Sequence, residues 1–180
     1  MTTAPTTGTT DQERTELLGT LARHRYFLRF TVAGLTDEQA ATRTTVSALT
    51  LSGLIKHVAD MEQSWVDFIE QGAAAFEAAA AEWSSDPAEQ DWGARFRLAP
   101  GQTLAGILEE YEQVARRTEQ VIRDLPDLDA DHPLPEAPWF EPGAHWSARR
   151  VMLHLLAETS QHAGHADIIR ESLDGQKTMG

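Results

Sequence analysis

Glu158, His162 and His165 stand in the order Glu-x-x-x-His-x-x-His near the C-terminal end of the chain. Steps of four and three bring them to one side of an α-helix, within roughly 60° of arc at about 100° per residue. At the same rhythm Val151 and Leu155 precede them and Ile169 follows. An apolar seam therefore turns polar in its middle. An unpaired carboxylate at such a position costs several kcal/mol or is forced to protonate, so the cluster needs a partner. A divalent cation is the simplest one. Neutral imidazole and carboxylate suit Zn²⁺ first, with Ni²⁺, Fe²⁺ or Mn²⁺ as alternatives, and residues four apart on a helix can reach the same ion. His57 lies on the track Leu54, His57, Met61, Ser64, Phe68 of another helix and is the candidate third ligand. Three protein ligands with open positions is the pattern of a working metal site rather than a closed structural one. The competing reading is a solvated helix face on which Glu158 and His162 form an ordinary ion pair.

Other chemistry-bearing residues carry weaker signals. His154 lies at the edge of the Glu158 face, one turn earlier. His24 falls on a seam step of the first helix and reads as a satisfied core residue. His132, before Pro133, reads as structural, and His145, beside Trp146, as loop packing. Trp65 and Phe68 read as core. Arg149 and Arg150 read as a solvated pair, with an anionic substrate as the alternative. Ser64 and Ser160 have no base and orienter set up by the sequence, so a serine triad is not supported. There is no phosphate-binding glycine loop.

These residues must be positioned by helices. Asp11 can cap a first helix running to about Val32, with Gly34 as its stop, and its seam reads Leu17, Leu21, Leu28, Leu35. Thr36 and Gln39 make a capping box. A second long helix starts between Ser47 and Thr50 and ends before Gly72, with Leu51, Leu54, Val58, Met61, Trp65 and Phe68 at steps of three and four. Residues 73–102 read as an Ala-rich stretch followed by a loop. Thr103 caps a third helix to about Leu125. The Pro-rich segment 126–146 carries Trp139, Phe140 and Trp146 and is expected to lie across the bundle. Ser147 caps a fourth helix that ends at Asp174, with Gly175 at its C-terminal position. No strand alternation is visible. The fold class is all-α, a four-helix bundle over residues 11–175, with tails at 1–10 and 176–180.

Composition excludes several classes. With 28 acidic against 15 basic residues the chain carries a net charge of −13, and no basic stripe is present to bind nucleic acid. No run is long and apolar enough to span a membrane. The first ten residues lack the basic and apolar regions of a signal peptide, so a cytoplasmic location is expected. Cysteine is absent, which removes disulfides, thiolate ligands and a cysteine nucleophile. Any thiol chemistry must be borrowed from a co-substrate.

The runs LTLSGLIKHVADMEQSWV, LPEAPWFEPGAHWSARR and HLLAETSQHAGHADIIRESLDG together resemble the DinB/YfiT-like superfamily, in its mycothiol S-transferase and mycothiol-dependent maleylpyruvate isomerase-like branch. The resemblance implies an up-down-down-up four-helix bundle and a divalent metal held by three side chains. His57 matches the ligand on the second helix. Glu158 and His162 match the pair on the last helix, where many relatives carry two histidines. His165 is an addition; it could replace Glu158 as a ligand or orient another ligand and shuttle a proton, and it is the candidate catalytic residue. The implied activity is metal-dependent transfer of a low-molecular-weight thiol such as mycothiol to an electrophilic small molecule. A hydrolase using water, and a non-catalytic metal-binding or stress-associated bundle, are the alternatives. In the non-catalytic alternative the bundle could pair as a homodimer.

Overall fold

The computed structural model describes residues 7–76 and 92–178. Helix α1 (Thr7–Phe30) is followed by a single turn, α2 (Asp37–Ala40), then α3 (Leu51–Gln71), α4 (Leu104–Asp124) and α5 (Ala148–Asp174). Short 3-10 turns occupy Gly72–Phe76 and Trp92–Phe96. The first six positions of the expected tail, and residues 77–91 of the Ala-rich stretch, lie outside the described residues.

The caps are those the sequence announces. Thr50, Thr103 and Ser147 each accept a backbone N–H three residues on. Thr36 and Gln39 close a reciprocal capping box. Gly175 takes a left-handed conformation (φ 82°) and donates its N–H to Glu171 O, which ends α5. Helix α1 starts at Thr7, earlier than a cap at Asp11 would allow.

Side-chain contacts fix the helix directions. Glu13 meets Arg149 and Thr31 O meets Arg170, so α1 and α5 run the same way. Arg14 reaches Ile122 O, whereas Arg29 pairs with Glu112, so α4 runs opposite to α1. His57 faces Glu158 and His162, while Trp65 faces His154 and Trp146, so α3 and α5 are antiparallel. The order is up-down-down-up. Helices α3 and α4 are thus parallel neighbours, and the chain must return along the length of α3, about 31 Å for its 21 residues, before α4 can start. Helices α1 and α4 meet more sparsely than the other adjacent pairs.

The Pro-rich segment does lie across the bundle. Trp146 stacks on Trp65 with ring centroids 4.7 Å apart, Phe140 meets both rings, and Leu128 is fully buried. The segment also folds back as an antiparallel ribbon of two three-residue strands, β1 (Asp131–Pro133) and β2 (His145–Ser147). Strands this short are too brief to show an alternation in sequence. His132 links the ribbon to the end of α3 through Ile69 O at 3.2 Å, and His145 pairs with Asp131 at 2.7 Å. Both histidines are structural here.

The core holds charges that the apolar pattern hides. The α1 seam is Leu18, Leu21, Arg25 and Leu28, with Arg14 also buried, whereas Leu17 and Leu35 pack only at its margin and His24 is half-buried. Arginines fit there because each finds a partner. Arg14 and Arg170 bind carbonyls at the ends of α4 and α1, which have no helical partner of their own. Arg25 forms a bidentate pair with Glu62, whose side chain is fully buried and also accepts from Thr118. The Tyr111 and Thr159 hydroxyls lie near each other in the same layer without closing a full hydrogen bond. Burial pushes the Tyr111 hydroxyl pKa up, so it stays protonated.

Glu62→Ala, which strands the Arg25 guanidinium, is expected to lower folding stability by about 3–5 kcal/mol in urea titration. The joint variant Arg25→Met/Glu62→Leu should recover most of that loss. A joint variant as unstable as Glu62→Ala would show that packing, not the uncompensated charge, is what fails.

Candidate metal centre

The antiparallel seam of α3 and α5 supplies the donors. His57, Glu158 and His162 each present one ligand atom, and these atoms all lie within 4.8 Å of one another. Glu158 Oε2 is 3.4 Å from His162 Nε2, as one helical turn allows. The His57 and His162 rings meet nearly edge-on, 4.9 Å between centroids at 82°. His162 is buried, whereas His57 and Glu158 are half-buried. The cluster therefore sits at the margin of the core, within reach of solvent, rather than at the dry centre a seam reading would place it.

The electrostatics favour donor forms. Burial, and then the neighbouring His162, lower the His57 pKa to about 4, so its imidazole is neutral at physiological pH. The hydrogen bond from His162 holds the Glu158 carboxyl below its ordinary value despite partial burial. A neutral imidazole and an ionised carboxylate are the states that coordinate a divalent cation. The donor set fits such an ion.

His165 is not among the three converging donors. Its Nδ1 lies 3.4 Å from Nδ1 of His162, on the side of that ring away from Glu158. His154 is half-buried one turn before Glu158, with its ring edge against Trp65 and Trp146 at 5.0 and 5.2 Å. Burial lowers its pKa too. Trp146, Arg150, His154, Glu158 and His162 follow one another at intervals of four, so the stripe that carries the donors begins two residues before the first residue of α5. Arg149 is committed to Glu13 and Asp129, while Arg150 lies 4.4 Å over the Trp146 ring. They do not act as a pair.

One contributor escaped the sequence reading. Phe96, in the turn Trp92–Phe96, lies against His57 with centroids 4.2 Å apart at 32°, and 6.0 Å from the His162 ring. Nothing local in the connection marks it. A signal was present on α3, where Gly53 interrupts a run of good helix formers one turn before His57.

The pKa directions predict an acid response of the metal-free protein. Between pH 6.5, the ordinary His value, and about 4, the unfolded chain protonates His57 while the folded chain does not. The unfolded state binds more protons, so stability is complete above that window and is lost as pH falls through it. Glu158, also depressed, continues the loss at lower pH. His57→Gln should flatten the decline of the urea midpoint between pH 6.5 and 4; an unchanged slope would assign the decline to other groups.

A computed family profile described as Mycothiol-S-transferase matches residues 16–175. No curated protein matches the chain. Among solved structures, one described as the conserved protein of locus from Enterococcus faecalis is similar, with a TM-score of 0.63 at 13% identity, over 90% of this chain and 97% of that one. A likeness at that identity establishes the shared fold alone. The family match spans every helix that carries a donor, and the chain belongs to the mycothiol S-transferase family.

Proposed function

We propose that the protein is a metal-dependent S-transferase that joins a low-molecular-weight thiol of the mycothiol type to an electrophilic small molecule. The observation that carries this reading is the convergence of three donors, with His57 neutral and the Glu158 carboxyl pKa lowered, at a seam that solvent can reach. The family supplies the thiol class. The lack of cysteine in the chain is consistent with a thiol brought in from outside.

His57, Glu158 and His162 would hold the ion, with zinc as the first choice for two imidazoles and a carboxylate, and nickel, iron or manganese as alternatives. When bound, it would supply the positive charge that lowers the pKa of an incoming thiol, since the thiolate is the nucleophile. With an ion bound, His162 would turn its Nε2 lone pair to the ion in place of its hydrogen bond to Glu158, and His165 would take the Nδ1 proton of that ring. It thus acts as an orienting group rather than a ligand. Phe96 and the rings of Trp65, Trp146 and His154 give the seam an apolar border that limits water. The reaction balances simply. The thiol proton passes to solvent, a carbon–sulfur bond forms, and the leaving group departs with its electron pair.

The test is thiol-dependent consumption of a bimane or a chloro-nitroarene by protein purified without a histidine tag, with its metal content measured by elemental analysis. His162→Ala should lower the rate at least tenfold, about 1.4 kcal/mol of barrier. An unchanged rate in a folded variant removes the metal from the reaction, and turnover without added thiol removes the transferase.

A further inference from the structure

The connection between α3 and α4 enters the sequence reading only as a link, yet its last turn is held at the candidate centre by a contact that has no side chain on one side. Gly53 lies in the first turn of α3. A Cβ placed there would stand 1.9 Å from the Phe96 carbonyl oxygen and 2.7 Å from the carbonyl carbon. Both are backbone atoms, so no rotamer change relieves the clash. The turn Trp92–Phe96 therefore rests directly on a bare α-carbon, a close approach that glycine permits.

Gly53 and His57 are four residues apart, hence one above the other on the same face of α3. Seating the backbone of Phe96 on the first brings its ring onto the second, 4.2 Å away at 32°. His162 meets the same imidazole nearly at right angles, 4.9 Å away. His57 is thus bracketed between a ring from the connection and a ring from α5. A side chain with two rotatable bonds, held by two rings, has its donor atom aimed before an ion arrives, and such preorganisation raises affinity by removing an ordering cost.

We propose that Phe96 is a positioning residue that sets the orientation of His57, and that Gly53 is the seat that fixes Phe96, so that the pair governs the affinity of the centre for a divalent ion. This rests on the reading of His57 as a metal ligand.

Competition titration with Zn²⁺ or Co²⁺ measures the effect, with thermal melts of the metal-free proteins as the folding control. Phe96→Ala and Gly53→Ala should each weaken binding about 10–100-fold, the range typical of groups that orient a ligand. Phe96→Tyr, which keeps the ring, should stay within about threefold of the parent. Because the two residues act through one contact, the double variant Gly53→Ala/Phe96→Ala should bind no more weakly than the poorer single variant. Additive losses, unchanged affinity in Phe96→Ala, or parental affinity in Phe96→Leu would overturn the proposal. A second readout needs no metal. Proton spectra of the metal-free protein should show the His57 ring protons displaced by the Phe96 ring current, and Gly53→Ala should abolish that displacement; its persistence would overturn the seat. A parent that takes up neither ion defeats the metal reading and the affinity claim with it, while the ring-current experiment still decides whether Gly53 seats Phe96 on His57.

Discussion

Opposed running directions of α3 and α5 are the constraint on which the molecule depends. They place His57 level with Glu158 and His162, and Trp65 level with His154 and Trp146. A slip of one turn, about 5.4 Å, would separate donors that now lie within 4.8 Å. Most of the remaining structure resists that slip. The stacked Trp65–Trp146 pair locks one end of the seam, and the 3-10 turn resting on Gly53 locks the other. Between them the Arg25–Glu62–Thr118 contacts tie α1, α3 and α4 at one level.

Charge is managed by placement rather than by amount. A chain with 28 acids against 15 bases repels itself at long range, and its buried arginines stand where a carboxylate or an open carbonyl would otherwise lack a partner. Arg14 and Arg170 close the ends of α4 and α1. Arg25 neutralises Glu62 in the core. Arg149 ties the start of α5 to α1 through Glu13. At the candidate centre the pattern changes: the half-buried Glu158 has the imidazoles of His57, His154 and His162 near it and, among the described residues, no ion pair with a guanidinium. The neutral His57 ring brings no positive charge to that carboxylate, which is the electrostatic basis for expecting a cation there.

The four helices and the α5 donor stripe were legible in the sequence because both are periodic within one element. Glu158, His162 and Ile169 need only helical geometry to share a face. His57 was legible for the same reason, although its pairing with α5 required the family resemblance to fix the helix order. Arg25 and Arg14 were not legible. Whether an arginine is buried depends on what other helices offer its head group, and those partners are 37 and 108 residues away in the chain. Phe96 was hidden for a related reason, since a loop residue becomes part of a site only through the surface on which it docks. The half-buried setting of Glu158 was also beyond reach, because a helical wheel gives direction and not depth. His165 could be placed on the right face, but its partner is set by ring orientation, which spacing does not specify.

The parallel pairing of α3 and α4 has a consequence of its own. It obliges the chain to travel back along the bundle before α4 begins, and the return path ends beside His57. A stretch needed by topology is thereby delivered to the candidate centre, where its last turn rests on Gly53 and Phe96 packs against the core. Substitutions at its docked end, where the Phe96 ring lies on His57, alter what stands next to the candidate donors. Within this architecture the surroundings of His57 can diverge among relatives through the docked end of the link between α3 and α4.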